Sequence, residues 1–499
     1  MNSVYQVVYN KARRALMVVN EATSCVQAKG TKTVIAAAVA ALVAGGAMAA
    51  DENVFENKTE FNSNTLLQAW SQAQNSPDAL EVSGKTYQNN KVTFPNTSGS
   101  TTALGVAAIS SDVIIADSNF KANAVSDTKD SANGAYGSAV GVQTGKLTIT
   151  GSIFDSNEAT SHRQVQGSAL YQSVGSIDLQ NSTFTNNKGT AAEGSDANVT
   201  GGAVSLWGVS GSIKNSEFTG NVATAGNIVY GGALYLRSGI WGGDKALQFS
   251  IEDSTFTGNK TLATSSKSGS LGGAVYAKSD FSYDKSEVSR YVIDLDIKNV
   301  SFKNNESDWM GGALFVTGEG AVTMTDVTFE GNTSSAGGAA MFYGNKPNES
   351  ALDKTNTAQI TAQNVNYINN AGINEGQGGA VFLYTKTKYE QTGGSFVGNK
   401  ADGFGGAIFV KGAEAVFTDV LFENNVVENE KAVVAGGAVY VDPVINGNVV
   451  GGKVPASAKF VITKDMTYSG NNAIGLEENH NENTYGYLIG TSGGFLLLD

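Results

Sequence analysis

Only one cysteine occurs in the 499 residues, Cys25, and it precedes residue 50. The chain beyond it therefore has no disulfide and no thiol chemistry. Histidine is nearly as scarce: His162 and His480 are the two in the chain. They lie more than three hundred residues apart, and neither neighbours a Ser/Asp arrangement or a metal-ligand spacing, so both read as turn or loop residues. Basic charge is in deficit, with 33 Lys and Arg against 46 Asp and Glu and a formal charge of −13. Such a surface repels nucleic acid and anionic membrane. Nucleotide, metal and redox motifs are absent, so no cofactor is expected.

What is abundant is turn chemistry. Sixty glycines and five prolines, with many Asn, Ser and Thr, suit numerous tight turns between short strands. The glycines belong to a repeat. Nine copies of F-x-x-N make up the repeat, pairing Phe120 with Asn123, Phe154 with Asn157, Phe184 with Asn187, Phe218 with Asn221, Phe256 with Asn259, Phe302 with Asn305, Phe329 with Asn332, Phe396 with Asn399 and Phe422 with Asn425. Two more copies substitute tyrosine, Tyr367 with Asn370 and Tyr468 with Asn471. Almost every copy is answered by G-G-A and an aliphatic residue, starting at Gly201, Gly231, Gly272, Gly311, Gly337, Gly378, Gly405 and Gly436, with serine-containing versions at Gly137 and Gly167.

Successive F-x-x-N motifs stand 26 to 46 residues apart, so the unit must close within 26, shorter than a propeller blade of about 40 to 45. Alternating runs such as Ala321–Thr325 between the motifs read as half-buried strands. The expected fold is all-β, a right-handed parallel β-helix of eleven stacked rungs. Phe ladders fill its core and Asn ladders bond along its bends. The glycine pair supplies unusual backbone angles and the alanine a tight position. The repeated Phe, Asn and Gly are thus scaffold, and function belongs where copies differ.

The N-terminus speaks of destination. Lys29 and Lys32 precede the apolar run Val34–Ala44, and Ala47-Met48-Ala49 gives an A-x-A site, predicting a signal peptide cleaved after Ala49. The run is too short for a comfortable transmembrane helix. Removing residues 1–49 deletes five basic and one acidic residue and takes the formal charge from −13 to −17. Residues 50–119 are expected to hold an N-terminal cap and first rungs. Leu66, Leu67, Trp70 and Ala73 fall at helical spacing behind Asn64, predicting a short capping helix with Trp70 in the core.

Ahead of the apolar run, an extension opens with Met1-Asn2 and carries Tyr5, Tyr9, Asn10, Arg13, Arg14 and Glu21. It resembles the extended signal peptide region of type V secretion proteins. G-G-A-[ILV] with F-x-x-N, as in Gly201–Val204, Gly231–Leu234 and Gly405–Ile408, resembles the repeat of the polymorphic membrane protein family of autotransporter adhesins, over about residues 120–471. The resemblance implies a β-helical passenger shown on the surface of a Gram-negative bacterium, an outer-membrane β-barrel translocator as partner, and adhesion to a host-cell or surface receptor. Residues 120–499 are read as the repeat domain. The chain ends at Asp499 without room for such a barrel, so a fragment of a longer protein is expected.

Two rival functions come from other classes. Parallel β-helices also host pectin lyases and polygalacturonases, which need clustered carboxylates; Asp294 and Asp296, two apart on a strand, are the nearest pair, and read more simply as a wet acidic face. No Gly-Asp-Ser-Gly protease segment occurs, and the chain is expected not to be an enzyme. Self-association through polar ladders is the other rival. Four copies carry inserts, near Ser238–Leu247, Ser279–Tyr291, Gly344–Thr357 and Asp442–Lys459, all between the G-G-A and F-x-x-N strands. Stacking should align them along one edge, where Trp241, Tyr283 and Tyr291 are candidate binding residues.

Overall fold

A computed structural model describes residues 5–10, 15–20, 61–62, 79–94, 106–110, 112–127, 134–192, 197–239, 246–265, 269–284, 287–344, 358–429, 434, 436–442, 459–463, 467–475 and 487–489. Ala49, the 64–73 stretch expected to form a capping helix, Trp241 and His480 lie outside them.

Burial alternates along the short strands. Thr183-Phe184-Thr185 and Glu217-Phe218-Thr219 each bury only the ring, and Val222–Ala225 buries Ala223 and Ala225. Such strands have one apolar face and must roll that face inward against neighbouring copies. They do so as a parallel β-helix in which equivalent residues of successive turns pair in register, for example Phe154 with Phe120 and Phe184. Strands following the Asn build a 13-stranded sheet, and strands preceding G-G-A build a five-stranded one. The G-G-A strands and the Phe strands belong to the third sheet.

Inside, the aromatic rings stack with centroids 4.4–5.1 Å apart from Tyr87 to Phe422, with Phe256, Phe329 and Phe396 continuing the column without a break. Tyr468 extends it in register with Phe422. The ring column of the described residues therefore has one more level than the eleven motifs read from sequence: Tyr87-Gln88-Asn89-Asn90 is a further copy. Twelve levels at a strand spacing of about 4.8 Å make a column about 53 Å long.

The asparagines form the second ladder. Asn157 donates from its backbone N–H and its Nδ2 to Oδ1 of Asn187, both at 3.0 Å, and from Nδ2 to the Phe120 carbonyl at 2.9 Å. Each amide thus ties three turns together. The same places are taken by Asn123, Asn187, Asn221, Asn259, Asn305, Asn332, Asn370, Asn399 and Asn425, all buried and each donating from Nδ2 to the amide oxygen of the turn that follows. Asn90 begins the ladder and Asn471 ends it. With no lone pair or proton turned toward solvent, these side chains are structural, as the repeat implied.

A third ladder runs through Ser118, Ser152, Ser182, Ser216 and Ser254, each accepting on Oγ a backbone N–H from the turn before. Further along, valines (Val300, Val327) take the same place, exchanging hydrogen bonds for apolar burial.

The two motif glycines have different reasons. The first always has positive φ, as at Gly311 (φ 63°). The second does not need it; a Cβ on Gly312 would lie 2.0 Å from the Gly338 carbonyl oxygen, so at this turn the next one leaves no room for a side chain, whereas the two earliest copies carry Ser138 and Ser168 here. The sequence reading assigned unusual backbone angles to both, and the structure corrects this for the second.

Candidate functional site

The strand after G-G-A sends alternate side chains into and out of the helix. Leu234 and Leu236 point into the main core, while Tyr235 packs in a separate apolar cluster. Register places Tyr235, Tyr276, Phe315, Met341, Phe382, Phe409 and Tyr440 in one column. Earlier turns put Gly141, Tyr171 and Ser205 at this position. The core ladder never varies in kind, but this outer one changes from small or mixed residues to a continuous run of large apolar ones. Tyr235 and Tyr276 stack at 5.5 Å, Tyr276 and Phe315 at 5.4 Å, and Phe409 and Tyr440 at 5.3 Å.

A flank beside this column comes from the residue just before each G-G-A: Tyr230, Leu271, Met310, Ala336 and Gln377, linked turn to turn. Between column and flank lies a groove of about 550 Å³, lined by Tyr276, Phe315, Met341, Tyr343, Tyr384 and Trp309 among others. Trp309 is 45 % exposed. Its six-membered ring occupies the space a side chain at position 269 would take: a Cβ on Gly269 would meet Cε3 at 2.0 Å and Cζ3 at 2.4 Å. The backbone beneath it is fixed, since Ala336 donates its N–H to the Trp309 carbonyl and Asp308 accepts from Ala263 N–H.

One end of the groove is charged and internally compensated. Arg237 donates to both carboxylate oxygens of Asp280, at 2.5 and 3.3 Å, Lys278 reaches the same carboxylate at 3.2 Å, and the Arg237 guanidinium lies 4.5 Å from the centre of the Trp207 ring. Burial works to lower the arginine pKa, but the Asp280 hydrogen bonds and the neighbouring Tyr235 outweigh it and the net shift is upward. Burial pushes the phenols the same way: Tyr276 titrates well above its ordinary range, first through burial and then through Tyr235, and burial beside Asp442 raises Tyr440 to about 12.

The inserts leave from a line beside this groove. Arg237, Lys278, Thr317, Tyr343, Tyr384, Lys411 and Asp442 are in register at the ends of the outgoing strands. Returning strands are likewise paired, Ala246 with Val292 and Gly320 with Ala358. Of the residues singled out from the sequence, Tyr283 lies in the strand Asp280–Asp284, antiparallel to Glu287–Lys298 and opposite Val288, and Tyr291 is half-buried in the partner strand. The aromatic column itself was missed, although its signal stood in the sequence as G-G-A-x followed by Tyr, Phe or Met.

The remaining polar candidates are occupied by rung-to-rung bonding. Asp294 accepts from Gln248 Nε2 at 2.8 Å and from the Ala321 N–H at 2.9 Å, while Asp296, two residues on, is exposed. His162 bonds through Nδ1 and backbone N–H to Asp127, whose other oxygen accepts from Ser161 Oγ at 2.6 Å. Both serine and histidine point at the carboxylate, so the histidine does not bridge them as in a nucleophilic triad.

Residues 1–50 match the family described as Extended Signal Peptide of Type V secretion system. Residues 253–278 and 393–411 match the Chlamydia polymorphic membrane protein (Chlamydia_PMP) repeat. No curated protein and no solved structure matches the chain. The leader and the repeats are those of an exported autotransporter passenger of the outer membrane or surface of a Gram-negative bacterium, and type V secretion supplies an outer-membrane β-barrel translocator as its partner.

Proposed function

We propose that this chain is an adhesive passenger without catalytic activity, which holds a receptor on another surface through the aromatic groove and the insert-bearing edge beside it. The observation that carries the reading is the outer column from Tyr235 to Tyr440, together with the 45 % exposed Trp309. The column itself is buried, 2–8 % exposed, and Trp309 carries its aromatic character to the surface, where an exposed indole on a rigid frame is the kind of group recognition uses. Rigid ladders hold the groove in place, because every turn is bonded to the next through Phe, Asn and backbone.

The test is display of the chain on the surface of a non-adherent bacterium, followed by counts of cells retained on epithelial monolayers and of cells clumped in suspension. Retention on the monolayer without clumping supports adhesion. Clumping without retention replaces it with self-association. Turnover of a polysaccharide by the purified chain would sink the non-catalytic reading.

A further inference from the structure

Building on the adhesive reading, we infer that the hairpin arm of residues 280–291 takes up an extended, basic peptide segment of the receptor, which adds as a third strand along the edge of Asp280–Asp284.

Backbone pairing sets the arm apart from the wall of the rod. In the wall a strand has a neighbour on each side: Val275–Lys278, which leads into the arm, lies between Leu234–Arg237 and Leu314–Thr317. From Asp280 the chain leaves this ladder and pairs with its own return, Asp280 with Tyr291, Phe281 with Arg290, Ser282 with Ser289, Tyr283 with Val288 and Asp284 with Glu287. It rejoins the wall at Val292, opposite Ala246. Among the described residues no other strand pairs with Asp280–Asp284. Every second residue of a strand turns its N–H and C=O away from its partner, so the outer side of this one offers the groups that an added strand requires.

The arm is also fastened. A two-stranded ribbon by itself is marginally stable in water, but the root of this one is tied to the turns around it. The Asp280 carboxylate holds Arg237 and Lys278, its N–H donates to Ser238 Oγ at 2.7 Å, and the Ile293 N–H donates to Ser279 Oγ at 3.0 Å. Asp280 is thereby spent on the root, and the edge open to a partner begins at residue 281. An edge fixed in advance costs less ordering when a strand is added to it.

Composition gives the chemistry of the partner. Edge strands that must stay single carry lysine, proline or a bulge. Asp280-Phe281-Ser282-Tyr283-Asp284 has no lysine and no proline, and its register with Glu287–Lys298 is unbroken. Both of its charged residues are acidic, in a chain of formal charge −17 once residues 1–49 are removed. That field repels an acidic segment, a second copy of this chain included, and draws a basic one. Opposite charges on paired strands add to the binding, and like charges subtract from it. A glycan has no row of amides with which to continue the ladder.

The experiment uses the purified exported chain and a fluorescein-labelled octapeptide of alternating Lys and Val, read by fluorescence anisotropy. One control peptide carries Glu in place of Lys. Another is N-methylated at every valine, which keeps the side chains and removes the donors from one edge. A chain variant replaces residues 280–291 with Gly-Glu, the pair found in the turn above at Gly318-Glu319. The Lys peptide should bind the parent and slow hydrogen exchange in residues 281–284. Excision of the arm, N-methylation and the Glu exchange should each weaken binding by about tenfold or more. Should the excised chain fail to fold, the two control peptides on the parent chain decide the matter alone. No saturable binding up to about 1 mM, equal binding of the N-methylated peptide or by the excised chain, preference for the Glu peptide, or dimers of the chain that depend on the arm would each overturn the inference. If displayed cells still adhere while the peptide does not bind, the strand-addition assignment falls and the adhesive reading stands. Peptide binding by a chain whose cells adhere to nothing supports the assignment and removes the adhesive reading.

Discussion

Asn332 sits in the middle of the amide ladder, fully buried, and its side chain makes four hydrogen bonds. Oδ1 accepts from the backbone N–H and the Nδ2 of Asn305, at 2.9 and 3.0 Å; Nδ2 donates to the Phe302 carbonyl at 2.9 Å and to Asn370 Oδ1 at 3.0 Å. Asn332→Ala strands the two donors of Asn305 in the interior. Each orphaned donor costs about 1–3 kcal/mol. Asn370 Oδ1 loses less, because it still accepts from the Asn332 backbone N–H at 2.9 Å. The expected loss is about 3–6 kcal/mol. Because each turn is stabilised by its neighbours, the loss should also weaken coupling between the two halves of the rod, and urea unfolding should split into two steps.

Asn332→Asp sharpens the argument. A carboxylate can still accept from Asn305, but it turns an oxygen toward the Phe302 carbonyl and Asn370 Oδ1 with no proton between them. Burial and these two acceptors favour the protonated form, so the folded-state pKa must lie above the unfolded value of about 3.9. The sign follows: stability is greatest below the unfolded pKa and is lost as pH rises through the folded one. Urea midpoints at pH 7 and pH 4, each referred to the parent at the same pH, should show the aspartate defect shrinking on acidification while the alanine defect stays level. An alanine cost below about 1 kcal/mol, or an aspartate cost independent of pH, would refute the view that the amide ladder holds the turns together.

Two further expectations come from the same geometry. Gly312→Ala drives a methyl to 2.0 Å from the Gly338 carbonyl oxygen and 2.7 Å from Thr333 N and O, all backbone, and should leave little folded chain. Gly258→Ala, where φ is +63° but nothing lies within 4 Å, should cost only the left-handed strain of about 1–2 kcal/mol by thermal melting. Alkaline titration should unfold the aromatic column: burial raises Tyr276, and raises Tyr440 to about 12, so their contribution is complete below about pH 10 and is lost as pH climbs from there toward 12 and beyond. Phenolate absorbance should therefore appear late and together with loss of the strand signal, rather than ahead of it near the ordinary tyrosine pKa.

The scaffold was readable because a solenoid repeats its reasons. Each Phe and each Asn faces the same neighbours in every turn, so one physical demand is written many times and stands out from the sequence. Part of that demand was still overlooked. The residue before each Asn has positive φ in all twelve turns, and ten of the twelve are Asn or Gly, from Asn89 to Gly470. The motif is therefore F-x-[NG]-N, with the left-handed turn written beside the ladder amide. Tyr87-Gln88-Asn89-Asn90 satisfies this longer form, and the extra turn could have been found by it.

The groove was less legible for a reason that lies in how strands display side chains. Period two gives each strand after G-G-A an inner set and an outer set, and both can be apolar. Leu234, Tyr235 and Leu236 look like one buried run in sequence; only the fold separates the leucines, which face the core ladder, from the tyrosine, which faces a second cluster outside. Attention to inserts led instead to Trp241, Tyr283 and Tyr291, because length differences are visible without register. A substitution column is visible only with it: Gly141, Tyr171 and Ser205 become informative once pairing places them under Tyr235 and Tyr276. Trp309 needs one step more, since its exposure depends on Gly269, forty residues earlier in the chain and one turn below in space. In such a rod the scaffold is encoded by what every turn shares, and the character of the outer surface by differences between turns that register alone brings side by side.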